Sequence, residues 1–197
     1  MADTSKQSGL LLVLCGPSGV GKSTVSRRLA AAMHVSYAVG VTTRPKKPGD
    51  ESGKVYDHTT LEDFFRRLDD DQFLEYAQVY GDYYGTPKHP TLDELERGQD
   101  VLLEIDVQGA LQVRYQYPDA FLIFILPPDE PTLLRRLTDR GRDSSEEISR
   151  RFRAARREIH MAKGSGAFDE WVVNDQVDTA VQKICEDIRR KRNGEKK

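Results

Sequence analysis

Eight consecutive residues near the start of the chain could hold a string of phosphates. They read Gly16-Pro17-Ser18-Gly19-Val20-Gly21-Lys22-Ser23, which fits the spacing G-x-x-x-x-G-K-[ST]. Glycines at these positions let backbone N–H groups close around an anion, Lys22 can reach the outer phosphates, and the Ser23 hydroxyl can ligate Mg²⁺. The segment therefore predicts a binding site for a nucleoside triphosphate.

Two acids and one amide could add ligand contacts elsewhere. Glu104 and Asp106 end an apolar run, and ligands collect at the carboxyl ends of parallel strands. Both carboxylates face one side and could hold Mg²⁺ waters or ligand donors, or could equally serve as helix caps and ion-pair partners. Asn174 follows a late strand, where an Asn-Asp pair is typical of a turn. The four histidines, His34, His58, His89 and His160, have no metal-ligand spacing and are interpreted as surface or loop residues.

The elements that must position these residues alternate between strand and helix. Apolar runs predict strands at 10–15, 101–105, 121–126 and 171–173, and helical spacing predicts helices at 22–33, 107–116, 130–139 and 177–190. This alternation predicts an α/β fold, with a parallel sheet flanked by helices. The phosphate-binding segment lies between the first strand and the first helix, as its chemistry requires.

Two segments depart from that alternation. Residues 37 to 98 contain prolines, glycines and short β-type stretches such as 72–80, which predicts an inserted lobe. Around Gly141, two charged helical segments predict a hairpin with few apolar anchors, whose second helix begins with a capping box of Ser144 and Glu147. The basic tail from Arg189 onwards is expected to be frayed.

Composition narrows the class of protein further. The 197 residues suit one domain, and 30 basic against 32 acidic side chains leave a net charge of −2, which gives no electrostatic case for nucleic acid or an anionic membrane. Cys15 and Cys185 offer neither a disulfide framework nor a metal cluster, so both are expected to be reduced. We see no targeting segment or membrane span, and the expected compartment is the cytoplasm.

Three further motifs, taken with the phosphate-binding loop, resemble guanylate kinase, the nucleoside monophosphate kinase that moves a phosphoryl group from ATP to GMP. They are Thr42-Thr43-Arg44 with Lys47, Gly49-Asp50 and Tyr56; Glu75-Tyr76-Ala77 followed by Gly81-Asp82-Tyr83-Tyr84-Gly85-Thr86; and Leu137-Thr138-Asp139-Arg140-Gly141 leading to Ile148 and Arg151. The resemblance covers roughly residues 9 to 190, and the four motifs occur in the family's order and spacing.

The resemblance implies a single domain at 9–190, between flexible tails at 1–8 and 191–197. Its core comprises 9–36, 99–128 and 165–190, its GMP-binding lobe 37–98 and its helical lid 129–164. It also implies roles for named residues. The residues implied to be catalytic are Lys22, Arg44, Arg140 and Arg151. Those implied to bind ATP are residues 16–24, which include Thr24, together with Arg136 and Asn174. Those implied to bind GMP are Arg44, Lys47, Tyr56, Glu75, Tyr84, Thr86 and Glu104, and the metal is expected at Ser23 and, through water, at Asp106.

Four positions depart from the family pattern. Gly40 replaces a serine, Lys47 replaces an arginine and offers phosphate only a point charge, Asp50 stands where glutamate is usual, and Glu104 stands where an aspartate contacts guanine. The expected reaction is ATP + GMP giving ADP + GDP with Mg²⁺, with GMP or dGMP as acceptor. Two alternatives stay open: a non-catalytic module that binds protein partners, and a kinase of another phosphorylated acceptor.

Overall fold

A computed structural model describes residues 8–46, 56–139 and 144–194. Its strands are β1 Leu11–Cys15, β2 Ser36–Tyr37, β3 Gly40–Thr42, β4 Tyr56–His58, β5 Phe73–Val79, β6 Asp82–Pro87, β7 Val101–Glu104, β8 Phe121–Leu126 and β9 Glu170–Val173. Its helices are α1 Lys22–Met33, α2 Leu61–Asp69, α3 Lys88–Glu96, α4 Val107–Gln116, α5 Glu130–Thr138, α6 Ser145–Ser165 and α7 Val177–Arg192. The four strands and four helices predicted from the alternating pattern are all present.

The apolar runs form one five-stranded parallel sheet in the order β2-β7-β1-β8-β9. All five residues of β1 are buried, as are the first five of β8. Strands covered on both faces by helices read as continuous apolar runs rather than as alternating ones. The predicted fold class, an α/β sheet flanked by helices, is confirmed.

A second sheet lies within the segment predicted as an insertion. Its four strands have the order β4-β3-β6-β5. Strands β5 and β6 form a hairpin whose turn residues, Tyr80 and Gly81, both have positive φ, 53° and 98°, as a tight turn between antiparallel strands requires. Val41, Phe64 and Phe73 form the buried cluster beneath this sheet.

Helices α5 and α6 carry a small apolar cluster of their own. Leu133, Leu137 and Ala155 are fully buried there, and Ile148 and Phe152 pack against them. The expectation of few apolar anchors was therefore wrong, because the apolar positions of the two helices face each other within otherwise charged segments. The predicted capping box at the start of α6 is present, with Ser144 and Glu147 each bonding the other's backbone N–H.

The last helix extends further than predicted. Helix α7 continues to Arg192, and Arg190 forms ion pairs with the buried Asp187 and with Glu170, whose Oε1 lies 3.6 Å from Arg190 Nη2. The frayed tail expected from Arg189 is therefore helical as far as Arg192. No helix in the described part of the chain is long and apolar enough to cross a membrane.

The chain divides into two compact units. One unit takes the chain up to Leu12 together with Val35–Leu103 and Gln108–Ala120, and it holds the four-stranded sheet with α2 and α3. The other takes Val13–His34, Glu104–Val107 and the chain from Phe121 onwards, and it holds the phosphate-binding loop with α5, α6 and α7. These units do not follow the predicted division into core, lobe and lid, which stays a prediction.

Candidate nucleotide-binding sites

The loop between β1 and α1 needs glycine at three positions. Gly16, Gly19 and Gly21 all have positive φ, between 88° and 152°, a region that residues with a Cβ rarely adopt. A side chain at Gly19 would also require Leu137 of α5 to shift, because a Cβ there would lie 2.7 Å from Leu137 Cδ2. The loop conformation and its packing therefore both depend on the glycines that the motif supplied.

Lys22 lies over the loop that it is expected to serve. Its Nζ donates to the carbonyl oxygen of Gly16 and, at 3.3 Å, to that of Pro17. These acceptors belong to the loop itself, so the ammonium group is already held within its span. A phosphate that entered the loop would offer this ammonium a charged acceptor in place of neutral ones.

Two oxygen-bearing side chains meet beside the loop, that of Ser23 and that of Glu104. The Ser23 hydroxyl donates to Glu104 Oε1 at 2.6 Å, and β7 ends at Glu104. The end of that strand is placed by a hydrogen bond from Ile105 N–H to Leu14 O, 3.3 Å long. A hydroxyl and a carboxylate are ligands that Mg²⁺ prefers, and Mg²⁺ in phosphate sites takes few protein ligands.

That donor set fits Mg²⁺ better than a metal that needs a full protein cage. Within the described ranges, no group of three or more His, Cys, Asp or Glu side chains is arranged to hold a metal. A protein hydroxyl, one or two carboxylates, waters and substrate phosphates together suffice for Mg²⁺. The carboxylate that the structure brings to Ser23 is that of Glu104, whereas the sequence pointed to Asp106.

Arg136 and Asn174 connect the loop to the segment after β9. Asn174 is 2% exposed, and its Nδ2 donates to Val20 O at 2.8 Å. Arg136 Nη1 donates to Asn174 O at 2.9 Å, and Nη2 donates to Asp175 O at 3.2 Å. Asn174 Oδ1 is buried and has no hydrogen-bond partner among the described residues, which leaves one acceptor beside the loop.

Arg151 reaches the loop from helix α6. Its Nη2 donates to the Ser18 hydroxyl at 2.7 Å. Helical spacing places Glu158 and the buried Ala155 on the same face of α6. Glu158 is half-buried, and burial raises the pKa of its carboxyl; Lys22 opposes that rise and Asp106 adds to it. The face of α6 that carries Arg151 is therefore the one turned to the phosphate-binding loop.

Cys15 is fully buried directly before the loop. Burial strongly raises the pKa of its thiol, so the thiol stays protonated and unreactive at neutral pH. Both cysteines are free and buried.

A second candidate site lies in the four-stranded sheet. Glu75 and Thr86 face each other on β5 and β6, and each is 4% exposed. The Thr86 hydroxyl donates to Glu75 Oε1 at 2.6 Å. A buried carboxylate is costly unless it is hydrogen-bonded, and the Thr86 hydroxyl supplies such a bond to Glu75.

Arg44 is held by residues on two neighbouring strands. Its backbone N–H donates to Thr42 Oγ1 at 3.1 Å, and its carbonyl oxygen accepts from His58 Nδ1 at 2.7 Å. His58 was interpreted from sequence as a surface or loop residue, and the structure assigns it this anchoring contact. No spacing rule links a histidine to a carbonyl fourteen residues away, so the sequence carried no signal for it.

Tyr56 and Tyr84 pack edge to face with ring centroids 5.5 Å apart. Burial raises the pKa of the Tyr84 hydroxyl, and the nearby Arg44 guanidinium partly opposes that rise. The Tyr84 hydroxyl is therefore a proton donor at neutral pH. A Cβ on Gly40 would lie 3.1 Å from two carbons of the Tyr56 ring, so the departure at Gly40 makes room for this ring.

Three of the sequence-based predictions lie outside the described residues. They are the phosphate contacts of Lys47 and Arg140 and the substitution at Asp50. The other predicted site residues are described, and they fall into two groups. Residues 16–24, Glu104, Asp106, Arg136, Arg151 and Asn174 belong to the unit with the phosphate-binding loop, and Arg44, Tyr56, Glu75, Tyr84 and Thr86 belong to the unit with the four-stranded sheet.

Known proteins resemble this chain over most of its length. The family model for guanylate kinase matches residues 8–191. The chain is 44% identical to a guanylate kinase of Oceanobacillus iheyensis over 180 residues, which is 91% of this chain and 86% of the relative. It is 43% identical to a guanylate kinase of Clostridium tetani over 178 residues, covering 90% of this chain and 84% of the relative.

Solved structures agree with the sequence comparisons. The crystal structure of guanylate kinase from Anaplasma phagocytophilum aligns with a TM-score of 0.77 at 29% identity, over 93% of this chain and 86% of that chain.

Proposed function

This chain belongs to the guanylate kinase family and is thus an ATP:GMP phosphotransferase; we propose which of its residues perform each part of that reaction. The family uses GMP and ATP as substrates. We assign the ATP phosphates to the loop at residues 16–24 and the base of GMP to the Glu75–Thr86 pair. The single observation that supports this assignment most is the burial of that hydrogen-bonded pair within the four-stranded sheet.

The ATP side uses fixed positive charge. Backbone N–H groups of the glycine-rich loop and the N-terminus of α1 surround the phosphates. Lys22 binds the outer phosphates, and Arg151 and Arg140 meet the transferring group from the lid. Arg136 and Asn174 hold the loop from the side that we assign to adenine.

Mg²⁺ belongs to this side. Ser23 ligates it, Glu104 stands beside Ser23, and Asp106 acts through water. When bound, Mg²⁺ would neutralise negative charge on the phosphates. The proposal that Mg²⁺ binds here rests on the oxygen atoms of Ser23 and Glu104, which are hydrogen-bonded to each other.

The GMP side combines base recognition with a phosphate site. Guanine offers two adjacent donors, N1–H and the 2-amino group, and a carboxylate at Glu75 accepts both, whereas Thr86 bonds an acceptor on the base. Adenine presents an acceptor at N1, which the same carboxylate repels. Arg44, Lys47, Tyr56 and Tyr84 bind the GMP phosphate.

No general base is required for the transfer. Phosphoryl transfer depends mainly on alignment of the two substrates and on neutralisation of charge. The residues proposed here supply both, and the lid at 129–164 is proposed to close on the phosphates. Lys22, Ser23 and Arg151 argue against a non-catalytic interaction module, since such a module has no use for a charged triphosphate site. A cytoplasmic site of action remains a prediction.

Exchange of Glu75 for glutamine tests the base assignment. Glu75→Gln keeps an acceptor for Thr86 but turns one carboxylate oxygen into a donor, so we expect the GMP-over-AMP ratio in kcat/KM to fall by roughly 10²-fold or more. The KM for ATP should stay within about twofold, as it should for the matched control Glu96→Gln, which changes an exposed acid on α3. An unchanged ratio would remove Glu75 from base recognition.

A further inference from the structure

Gln112 of helix α4 bonds both main-chain polar groups of a single strand residue. The N–H of Tyr76 donates to Gln112 Oε1 at 3.2 Å, and Gln112 Nε2 donates to Tyr76 O at 2.7 Å. Both partners lie in the same compact unit. One primary amide thus supplies the acceptor and the donor that a neighbouring strand would supply.

The strand that Gln112 bonds is an edge strand. In the order β4-β3-β6-β5, β5 has a hydrogen-bonded neighbour on one side only. The N–H and C=O of one strand residue point to the same side, and those of Tyr76 point away from β6. Gln112 therefore fixes β5 from the side that the sheet leaves open.

The adjoining residue, Glu75, lies where the pairing of β5 and β6 is irregular. Phe73 pairs with Pro87 and Glu75 pairs with Thr86, so two steps along β5 match one step along β6. An extra residue of this kind re-aims the side chains beside it and weakens the local ladder. The direction of the Glu75 carboxylate therefore depends on constraints other than regular pairing. The hydrogen bond from Thr86 holds the carboxylate itself, and the two hydrogen bonds with Gln112 hold the main chain of the next residue, Tyr76.

We propose that Gln112 is a positioning residue for the choice of base, because it fixes Tyr76 and thereby sets the direction of the adjoining Glu75 carboxylate. The inference rests on the proposed function, in which Glu75 accepts from the N1–H and 2-amino groups of guanine. If α4 only packed against the sheet, a substitution at Gln112 would lower the free energy of unfolding. It would then change kcat/KM for all acceptor substrates alike.

The test uses two substitutions at this position. Gln112→Met keeps the length of the side chain and removes both hydrogen bonds, and Gln112→Glu keeps the acceptor for Tyr76 N–H and loses the donor. Gln116→Met is the matched control, because Gln116 lies on the exposed end of the same helix. The substrates are GMP and inosine monophosphate, which lacks the 2-amino group, and thermal unfolding is measured for each variant.

We expect Gln112→Met to lower kcat/KM for GMP about tenfold, the loss that two modest hydrogen bonds can account for. The value for inosine monophosphate should change far less, so the ratio between the two substrates narrows, and KM for ATP should not move. Gln112→Glu, which places a carboxylate oxygen against Tyr76 O, should narrow the ratio at least as much as Gln112→Met, and Gln116→Met should match the unaltered protein. Equal losses for both acceptors, or no loss, would overturn the proposal.

A double substitution separates this proposal from the one on which it rests. If Gln112 acts through Glu75, then Gln112→Met should have little further effect on the substrate ratio in a Glu75→Gln background, which is a non-additive result. A ratio that Glu75→Gln itself leaves unchanged would contradict the proposed function. A ratio that narrows with Glu75→Gln but not with Gln112→Met would contradict the role of Gln112 alone.

Discussion

The hydroxyl of Ser23 donates a 2.6 Å hydrogen bond to the carboxylate of Glu104, which ends strand β7. Ser23 is the loop residue whose chemistry suits Mg²⁺. The family resemblance placed Glu104 against guanine instead. The hydrogen bond favours the phosphate side, and the two assignments predict different kinetics.

We expect Glu104→Gln to raise the Mg²⁺ concentration that gives half-maximal activity by about tenfold, the usual effect of altering a residue that supports a metal ligand. The KM for GMP should stay unchanged. The measurement is a magnesium titration at saturating ATP and GMP, with the exposed acid of α6 in Glu146→Gln as control. A higher KM for GMP with normal magnesium dependence would return Glu104 to the guanine site.

Lys22→Ala should lower kcat by roughly 10²–10³-fold or more, because it removes a cation that stabilises developing charge. The fold should persist, since the acceptors that Lys22 has within the described ranges are carbonyl oxygens of its own loop. ADP release measures the activity, and circular dichroism measures the fold. Lys163→Ala, which alters an exposed lysine on α6, should behave as the unaltered protein. Normal turnover by folded Lys22→Ala protein would contradict the proposed phosphate site.

Gly40→Ser restores the hydroxyl that the family carries, and we nevertheless expect it to weaken GMP binding. A Cβ at this position would lie 3.1 Å from the Tyr56 ring, so the ring must shift by a few tenths of an ångström from the position in which it packs against Tyr84. The KM for GMP should rise about fivefold, which corresponds to modest overpacking. Gly164→Ser is the control, because a Cβ there meets nothing within 4 Å. A lower KM for GMP would show that the hydroxyl matters more than the crowding.

Glu158→Gln should stabilise the protein at neutral pH. Burial raises the pKa of Glu158 in the folded state, so its charged form costs stability wherever the unfolded carboxyl is ionised. That cost is fully present above the raised pKa of the folded state. It disappears below about pH 4, where the carboxyl is protonated in both states.

Thermal unfolding across this pH range measures the effect. The Tm of Glu158→Gln should exceed that of the unaltered protein at about pH 7.5, and the difference should vanish at the acidic end. Lys22 and Arg157 oppose the rise in pKa and Asp106 adds to it, so all three charges must be intact in the protein that is compared. A lower Tm at neutral pH would mean that attraction to Lys22 outweighs the burial.

Local sequence patterns predicted the strands and helices well, because the apolar run or the helical spacing that is visible in the sequence is also what forms the element. The run at 121–126 is buried on both faces as β8, and the helical spacing at 107–116 became α4. The glycines of the phosphate-binding loop likewise needed only their own backbone geometry to be identified. Such features depend on neighbours in sequence.

Contacts between distant side chains and backbone were beyond the sequence. Arg136 was assigned to ATP phosphates, and its guanidinium donates to Asn174 O, 38 residues away. Gln112 is hydrogen-bonded to the main chain of Tyr76, 36 residues away, and a lone glutamine is typical of no particular site. A backbone carbonyl is the same acceptor whichever residue carries it. The amino-acid sequence therefore does not indicate which carbonyl a donating side chain will contact.

The packing of Gly19 against α5 also limits which phosphate-binding loops could be substituted into this protein. Because Leu137 occupies the space that a side chain at Gly19 would need, the loop and the helix are shaped to each other. A chimaera that received the loop of another nucleotide-binding protein, with a larger residue at this position, would also have to receive a smaller partner at Leu137. A transplanted loop therefore has to be designed together with position 137 of helix α5.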